Sequence, residues 1–383
     1  MSVESVELGE LCTLKNGKAY KESDWATDGH PIIRIQNLNN ADKPFNYWPN
    51  GLDGQVEVHP GDVLLAWSGT PGTSFGAHLW QGRVGVLNQH IFRVDLDRTR
   101  ISKRWAVLAI NKQLDRLIDS AHGGVGLKHV TRGVVAGLEI PLPPLAEQKR
   151  IAAILDKADA VRRKRQRAIQ LADEFLKSAF LEMFGDPVTN PKGWEVVKLE
   201  EIAAVNRGKF TPRPRNDPRF YGGVYPFIQT GELARTDGTL HSYSQTLNEE
   251  GIKVSRKFRK GTIAIAIAAN IGDTAILGFD AYATDSVVGI EVNEENARKE
   301  FIEYWLRFQQ DVLKAKAPET AQKNINLAVL RPLPTILPPM VLQSAFAEVY
   351  CRTEQSHDSH EMALKASTDL FNSLVQRAFR GEL

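Results

Sequence analysis

The sequence predicts an α+β fold in which two similar mixed α/β domains alternate with two long helices, an internal duplication of pseudo-twofold kind. Three features predict it. Residues 145–184 hold one long stretch of helical periodicity. The end of the chain holds another of nearly equal length, with matching opening and closing residues. The segments in front of each are rich in β-branched residues and bounded by turn formers.

In chain order, the first domain is placed at 1–143. Its "IIRIQNL", "DVLLAWSG" and "HIFRVDL" have the composition of strands, and "RWAVLAINKQLDRLIDSA" has helical spacing. "GGVG" at 123–126 reads as a loop, because no helix start follows it.

The central helix is placed at 144–185. Ile154, Ala158, Val161, Arg165, Ala168, Ala172, Phe175 and Ala179 recur in steps of four and three, and Ile151, Leu155, Ile169, Leu176, Phe180 and Met183 widen the stripe. Pro143 and Pro144 suit a helix start, Glu147 lies near the positive end of the dipole, and Gly185 before Asp186-Pro187 supplies the stop. Such a helix runs about 60 Å at 1.5 Å per residue. It needs a partner to cover its stripe.

"GDPVTNPKGW" at 185–194 is a turn-rich linker, and the second domain is placed at 186–338. Its "TIAIAIAA" and "SVVGIEV" read as strands and "NARKEFIEYWLRFQQDVLKAKA" as helix. The terminal helix, at 339–383, is the expected partner of the central one. "PPLAEQ" at 143–148 matches "PPMVLQ" at 338–343, and "FLKSAFLEMFG" at 175–185 matches "FNSLVQRAFRG" at 371–381. "VELGELCTLKNGK" also matches "VKLEEIAAVNRGK", and "GDVLLAWSGTPG" matches "GTIAIAIAANIG". The period is about 195 residues, far too long for a solenoid unit, so it marks a duplicated domain plus helix.

With 383 residues the chain exceeds a single core, since such cores rarely pass about 250 residues. No run reaches the ~20 apolar residues of a membrane span, and "MSVESVELGEL" lacks the features of a secretory signal, so a cytoplasmic location is expected. Cys12 and Cys351 are single and far apart, which predicts neither disulfides nor structural metal. The net charge is only +2, but "RRKRQR" at 162–167, "RGKFTPRPRNDPR" at 207–219 and "SRKFRK" at 255–260 are local basic clusters. There is no phosphate-binding G-x-x-x-x-G-K-[ST], no dinucleotide G-x-G-x-x-G, no H-E-x-x-H and no G-x-S-x-G. No catalytic residue, metal or cofactor is therefore expected.

Two related but diverged domains on paired rigid helices suit a ligand with two parts, such as duplex DNA read at two places. The resemblance is specific here. "IPLPPLAEQKRIAAILDKAD", "SAFLEMFGDP" with "NPKGWEVVKLEEI", and the terminal "QRAFRGEL" resemble the specificity subunit of a Type I restriction-modification system over essentially the full length. The resemblance implies two target recognition domains, each followed by a long helix, with the helices packed antiparallel as a coiled coil that sets the gap in a split DNA site. It implies no catalytic activity in the chain itself. As partners it implies two adenine methyltransferase subunits and two ATP-dependent translocase-endonuclease subunits. The middle of the second helix, "RTEQSHDSHEMALK", departs by being more polar and less regular than its counterpart.

Base readout uses Arg and Lys on guanine and Asn and Gln on adenine, with phosphates held by basic and hydroxyl side chains. The candidates in the first domain are Arg34, Gln36, Asn37 and Asn39, then Asn88, Gln89 and His90. In the second they are Arg213, Arg215 and Arg219, Gln229 and Thr230, and Arg256, Lys257, Arg259 and Lys260. Lys128 and Lys323 join them as matching positions before the two helices. "RRKRQR" is expected on the outer face, where only Arg165 interrupts the apolar seam. Two other readings stay open: the specificity part of a fused restriction-methylation enzyme, and a coiled-coil adaptor that binds only protein.

Overall fold

The computed structural model describes residues 4–40, 43–69, 74–119, 128–317 and 324–383. The chain divides into two compact units, 1–164 with 364–383 and 165–363. In the first unit it runs β1 (Ser5–Glu7), α1 (Leu8–Leu11), β2 (Cys12–Asn16), β3 (His30–Ile33), α2 (Ile35–Asn39), β4 (Asn46–Trp48), β5 (Glu57–Val58), β6 (Val63–Ala66), β7 (Ser68–Gly69) and β8 (Gly76–Leu79). It continues through β9 (Gly85–Leu87), β10 (Ile91–Leu96), α3 (Lys103–Lys112), α4 (Leu114–Asp119), β11 (Lys128–His129), α5 (Arg132–Ala136) and β12 (Glu139–Pro141) to α6 (Leu145–Phe184). One antiparallel sheet has the order β2-β10-β6-β8, and a second has the order β4-β3-β9-β5.

The second unit repeats this almost element for element. It holds β13 (Val196–Lys198), α7 (Leu199–Ile202), β14 (Ala203–Arg207), β15 (Tyr221–Ile228), α8 (Thr230–Leu233), β16 (Thr239–Leu240), β17 (Gln245–Leu247), α9 (Glu249–Lys253), β18 (Arg256–Phe258) and β19 (Ile263–Ala266). Then come β20 (Thr274–Leu277), β21 (Ala281–Ala283), β22 (Val287–Val292), α10 (Lys299–Phe308), α11 (Gln310–Ala315), α12 (Leu327–Leu330), β23 (Pro334–Ile336) and α13 (Met340–Arg380). Its sheets have the orders β14-β22-β19-β20-β16 and β17-β15-β21-β18.

The matching "PPxxxQ" motifs have a mechanical explanation. Gln148 is fully buried; its amide oxygen accepts from Ser102 N–H at 2.8 Å, and its nitrogen donates to the carbonyls of Arg100 (2.9 Å) and Pro143 (2.8 Å). Gln343 does the same work in the second unit, accepting from Arg298 N–H at 2.9 Å and donating to the Pro338 carbonyl at 2.7 Å. Each glutamine ties the start of a long helix to the N-cap residue of α3 or α10. The N–H and C=O groups it meets there would otherwise be unpaired.

Within each unit the long helices pack antiparallel. In the first, Arg150 donates to the Leu383 carbonyl at 2.6 Å and the Arg162 guanidinium lies 5.6 Å from the ring of Phe371. In the second, Asp173 faces His357 at 3.8 Å and the rings of Phe180 and Phe346 are 5.2 Å apart. The polar stretch of α13 stays helical because such groups find partners there. Ile151, Ala152 and Leu155 join the core of the first unit, and Leu176, Phe180 and Phe184 that of the second. Each fully buried large side chain contributes on the order of 1.5–3 kcal/mol.

Two expectations are corrected. "IIRIQNL" is not one strand: β3 ends at Ile33 and α2 begins at Ile35, with Arg34 N–H donating to Asn37 Oδ1 at 3.1 Å across the junction. Two positions expected on the helix seam, Val161 and Phe175, are 46% and 57% exposed. The ends of α6 bury the widening residues because α3 and α10, as well as the other long helix, pack there. "GGVG" lies outside the described residues. Among the described residues, no helix is long and apolar enough to cross a membrane.

Candidate nucleic-acid interface

The same end of the same sheet carries a polar surface in both units. At the end of β2, Gly17 N–H donates to the Ile91 carbonyl at 3.1 Å and Lys18 N–H to that of Leu87 at 2.9 Å. At the end of β14, Gly208 and Lys209 repeat these bonds to Val287 (2.8 Å) and Ala283 (3.0 Å). A Cβ on either glycine would collide with a backbone carbonyl, that of Asn88 or Thr284. The shared Gly-Lys pair is thus a joint between two sheets, and it leaves both lysines exposed. It also fixes the correspondence of the copies: Asn88, Gln89 and His90 stand where Thr284, Asp285 and Ser286 stand in the second unit.

In the first unit this surface is made of amides and rings. Trp67 Nε1 donates to Asn16 Oδ1 at 3.1 Å, and its ring lies 5.6 Å from that of His90. His90 stacks on His129 at 6.2 Å, and His129 Nδ1 is 2.6 Å from Ser68 Oγ. Gln89 Nε2 lies 3.2 Å from His90 Nε2, and His90 Nδ1 is buried with no hydrogen-bond partner among the described residues. Burial, reinforced by the neighbouring His129, lowers the pKa of His90 below the ordinary value of 6.5. At neutral pH the surface is uncharged at His90.

In the second unit the equivalent surface is made of guanidinium groups. Arg215 pairs with Asp285 at 2.6 Å and Arg213 approaches the same carboxylate at 3.6 Å. Arg207 Nε donates to the Asp285 carbonyl at 2.6 Å, and Arg256 Nη1 to that of Arg207 at 2.8 Å. Two guanidinium groups thus face one carboxylate, two more bond to neighbouring backbone carbonyls, and such a local excess of positive charge attracts phosphate.

The other candidates lie elsewhere. Arg34 and Gln229 hold equivalent places before α2 and α8; the Arg34 guanidinium lies 5.5 Å from the ring of Trp25, and the Gln229 amide donates to Gln245 at 2.6 Å. Gln36 and Asn39 are exposed on α2, and Thr230 is half-buried at the start of α8. Asn37 is buried, with its amide nitrogen bonded to the carbonyls of Lys43 (3.2 Å) and Pro44 (3.4 Å), so it holds the chain turn rather than facing outward. Arg219 pairs with Asp217 at 2.7 Å and Lys257 with Asp280 at 2.7 Å. Arg259 and Lys260 are exposed in the turn after β18, away from Arg256, and form no ion pair among the described residues. The backbone of Lys128 pairs with Gly69 in β11, and Lys323 lies outside the described residues. In "RRKRQR", Arg162 and Arg163 pair with Asp159 at 2.7 and 3.0 Å, Arg167 with Glu174 at 3.4 Å, and Arg165 donates to the Ala363 carbonyl.

Sequence reasoning missed Asn16, Lys18, Trp67, His129 and Asp285, and took in Arg207 and Lys209 only as part of the basic cluster at 207–219. The paired "NGK" and "RGK" were the available signal, because a glycine repeated beside a lysine in two diverged copies marks a backbone joint.

The chain is similar to known proteins over nearly its whole length. The family model for the Type I restriction modification DNA specificity domain matches residues 2–171 and again 191–350. The chain is 24% identical, over 421 aligned positions, to the Type I restriction enzyme EcoBI specificity subunit of Escherichia coli, covering 99% of this chain and 85% of that protein. It is 26% identical to the MjaVIII specificity subunit of Methanocaldococcus jannaschii over 77% of this chain and 72% of that one. Among solved structures, the S subunit of a Type I restriction-modification system from M. genitalium superposes with a TM-score of 0.66 at 16% identity, over 98% of this chain and 95% of that chain.

Proposed function

We propose a function from the premise that this chain belongs to the Type I restriction modification DNA specificity family: it reads a two-part sequence in duplex DNA, one part with each unit. One observation carries the reading. The scaffold positions of the two copies are the same, Gly17 and Gly208 at the sheet joint and Gln148 and Gln343 at the helix root. The side chains displayed at the matching sheet ends differ in kind. Conserving the frame while changing the displayed donors and acceptors is what two unlike half-sites require.

Asn88 and Gln89 suit adenine, and His90 is neutral and able to donate or accept. Arg213, Arg215 and Arg256 suit guanine or phosphate. Arg34, Gln36, Asn39, Gln229 and Thr230, on or before α2 and α8, and the basic groups Lys128, Arg219, Lys257, Arg259, Lys260 and Lys323 add backbone contacts. The chain carries out no chemistry itself. Two methyltransferase subunits and two restriction subunits with translocase and endonuclease activity supply it, in the cytoplasm.

The test is to map methylated adenines in DNA from cells carrying this chain with its partner subunits. A split motif with a constant gap is expected. A single contiguous motif, or methyl transfer by the purified chain alone, overturns the reading. A gel shift with random duplex DNA separates it from a protein-only adaptor.

A further inference from the structure

The two copies differ at one sheet edge. In the second unit β16 lies parallel to β20, where Ile276 N–H donates to the Gly238 carbonyl at 3.0 Å and Gly278 N–H to that of Leu240 at 3.1 Å. Leu240 is buried in the cluster that holds Ile228, Leu233 and Leu277. Glu354 of α13 clasps the strand, accepting from the backbone N–H and from the hydroxyl of Thr239.

In the first unit the sheet ends at β8. Trp80 makes the bonds that Leu277 makes: it accepts from Gly61 N–H at 2.7 Å and donates to the Asp62 carbonyl at 2.8 Å, against 2.7 Å from Gly261 and 2.9 Å to Thr262. That match sets Leu79 on Ile276 and Gln81 on Gly278. Among the described residues nothing accepts from the outward N–H of Leu79 or of Gln81. One rung further back, the Asn111 amide takes both the N–H (2.7 Å) and the C=O (2.9 Å) of Ala77. The strand edge is therefore capped at one end and open at the next two rungs. Residues 40–45 join α2 to β4, a shorter link than 234–244, which joins α8 to β17 and supplies β16.

Beside the open edge lies a groove of about 1230 Å³ between β8, α3, α6 and α13, its apolar part lined by Leu38, Phe45, Leu79, Trp80, Val107 and Phe371. Leu38 and Phe45 are only half-buried against Trp80, with no leucine in the place of Leu240. Asp159 stands where Glu354 stands, but Arg162 and Arg163 pair with it at 2.7 and 3.0 Å, so at this point of the groove the carboxylate is already taken by two guanidinium groups, while Asp115 and Asp156 line the groove elsewhere. An uncovered edge with an apolar floor is a template for strand addition.

We propose that this groove receives an extended segment of a partner polypeptide, which adds as a strand parallel to β8 in the place β16 holds in the second unit. The segment carries an apolar residue for the Leu38, Phe45 and Trp80 floor and an acidic residue near Arg162. The donor is a different chain, because this chain's own strand of that type is already clasped by Glu354. This goes beyond DNA reading and uses none of the residues assigned to it.

The probe is the fluorescein-labelled nonapeptide RTDGTLHSY, residues 235–243 of the second copy, titrated with the full chain by anisotropy and followed by amide hydrogen exchange. Saturable binding is expected, with slowed exchange at Leu79 and Gln81. Leu79→Pro deletes an outward N–H on an edge strand, where proline is tolerated. It should weaken the peptide by about fivefold to tenfold, the worth of one backbone hydrogen bond, and leave duplex DNA affinity unchanged. Four results overturn the proposal: no saturation at millimolar peptide, binding indifferent to Leu79→Pro, protection of these amides by duplex DNA instead, or protection by self-association of the chain. Exchange is read on the unaltered protein, so the outcome does not depend on the variant folding.

Discussion

Replacing Gln148 with leucine removes one buried amide and strands three part-buried backbone groups. Ser102 N–H loses its acceptor, and the carbonyls of Arg100 and Pro143 lose their donor. Each abandoned group costs about 1–3 kcal/mol, and leucine returns only part of this through apolar burial. A net loss of about 3 kcal/mol follows, which lowers the melting temperature by about 6–12 °C for a unit of this size. Trp105 is a built-in reporter, because its indole donates to the Pro141 carbonyl at 2.8 Å and its ring stacks on Phe379 at 4.8 Å, close to the same joint. Urea unfolding followed by tryptophan fluorescence and by circular dichroism gives the free energy. Gln166→Leu, at an exposed position of α6, is the control and should stay within about 0.5 kcal/mol of the parent. If Gln148→Leu also unfolds within that margin, the buried amide does not hold the helix root and the reasoning fails.

Arg213→Ala with Arg215→Ala should weaken duplex binding and reduce the slope of log affinity against log salt by about 2, one counterion per lost phosphate contact. Asp285→Ala should act oppositely and tighten non-specific binding, since it removes the carboxylate that both arginines face; anisotropy at several salt concentrations measures both. Glu303→Leu strands Thr274, Tyr350 and Arg307, which bond its carboxylate at 2.9, 3.1 and 2.8 Å. The loss should be about 3 kcal/mol, the lower end for a broken buried pair, because Asp237 remains 3.3 Å from Arg307. The lowered pKa of His90 means that the unfolded chain binds a proton below pH 6.5 that the folded chain resists. Its contribution is therefore complete above 6.5 and lost as pH falls below it; His90→Gln should flatten that decline in a series of urea midpoints.

The long helices were legible because a stripe at helical spacing, a proline start and a glycine stop agree on their limits, and α6 occupies 145–184 as expected. The duplication was legible from the paired motifs. What the stripe could not say is which side of it would be buried, because that depends on α3 and α10, far off in sequence. Phe180 meets Phe301 at 5.7 Å and Phe308 at 5.0 Å, while Phe175, five residues earlier, meets solvent. The break in "IIRIQNL" was hidden for a related reason. Its β-branched residues favour a strand throughout, and only the Asn37 side chain, returning to Arg34 N–H, turns the second half into a helix. At the candidate interface, residue type pointed to Asn88, Gln89, Arg213 and Arg215. The partners that aim them, Trp67, His129 and Asp285, come from other strands and left no local trace.

The glutamines at the two helix roots are amides, not ions, and no mobile counterion takes part in their bonds. Raising ionic strength weakens guanidinium-to-phosphate attachments steeply but scarcely touches a dry amide clasp. The molecule can therefore let go of its polyanion repeatedly while its frame keeps the same shape between encounters.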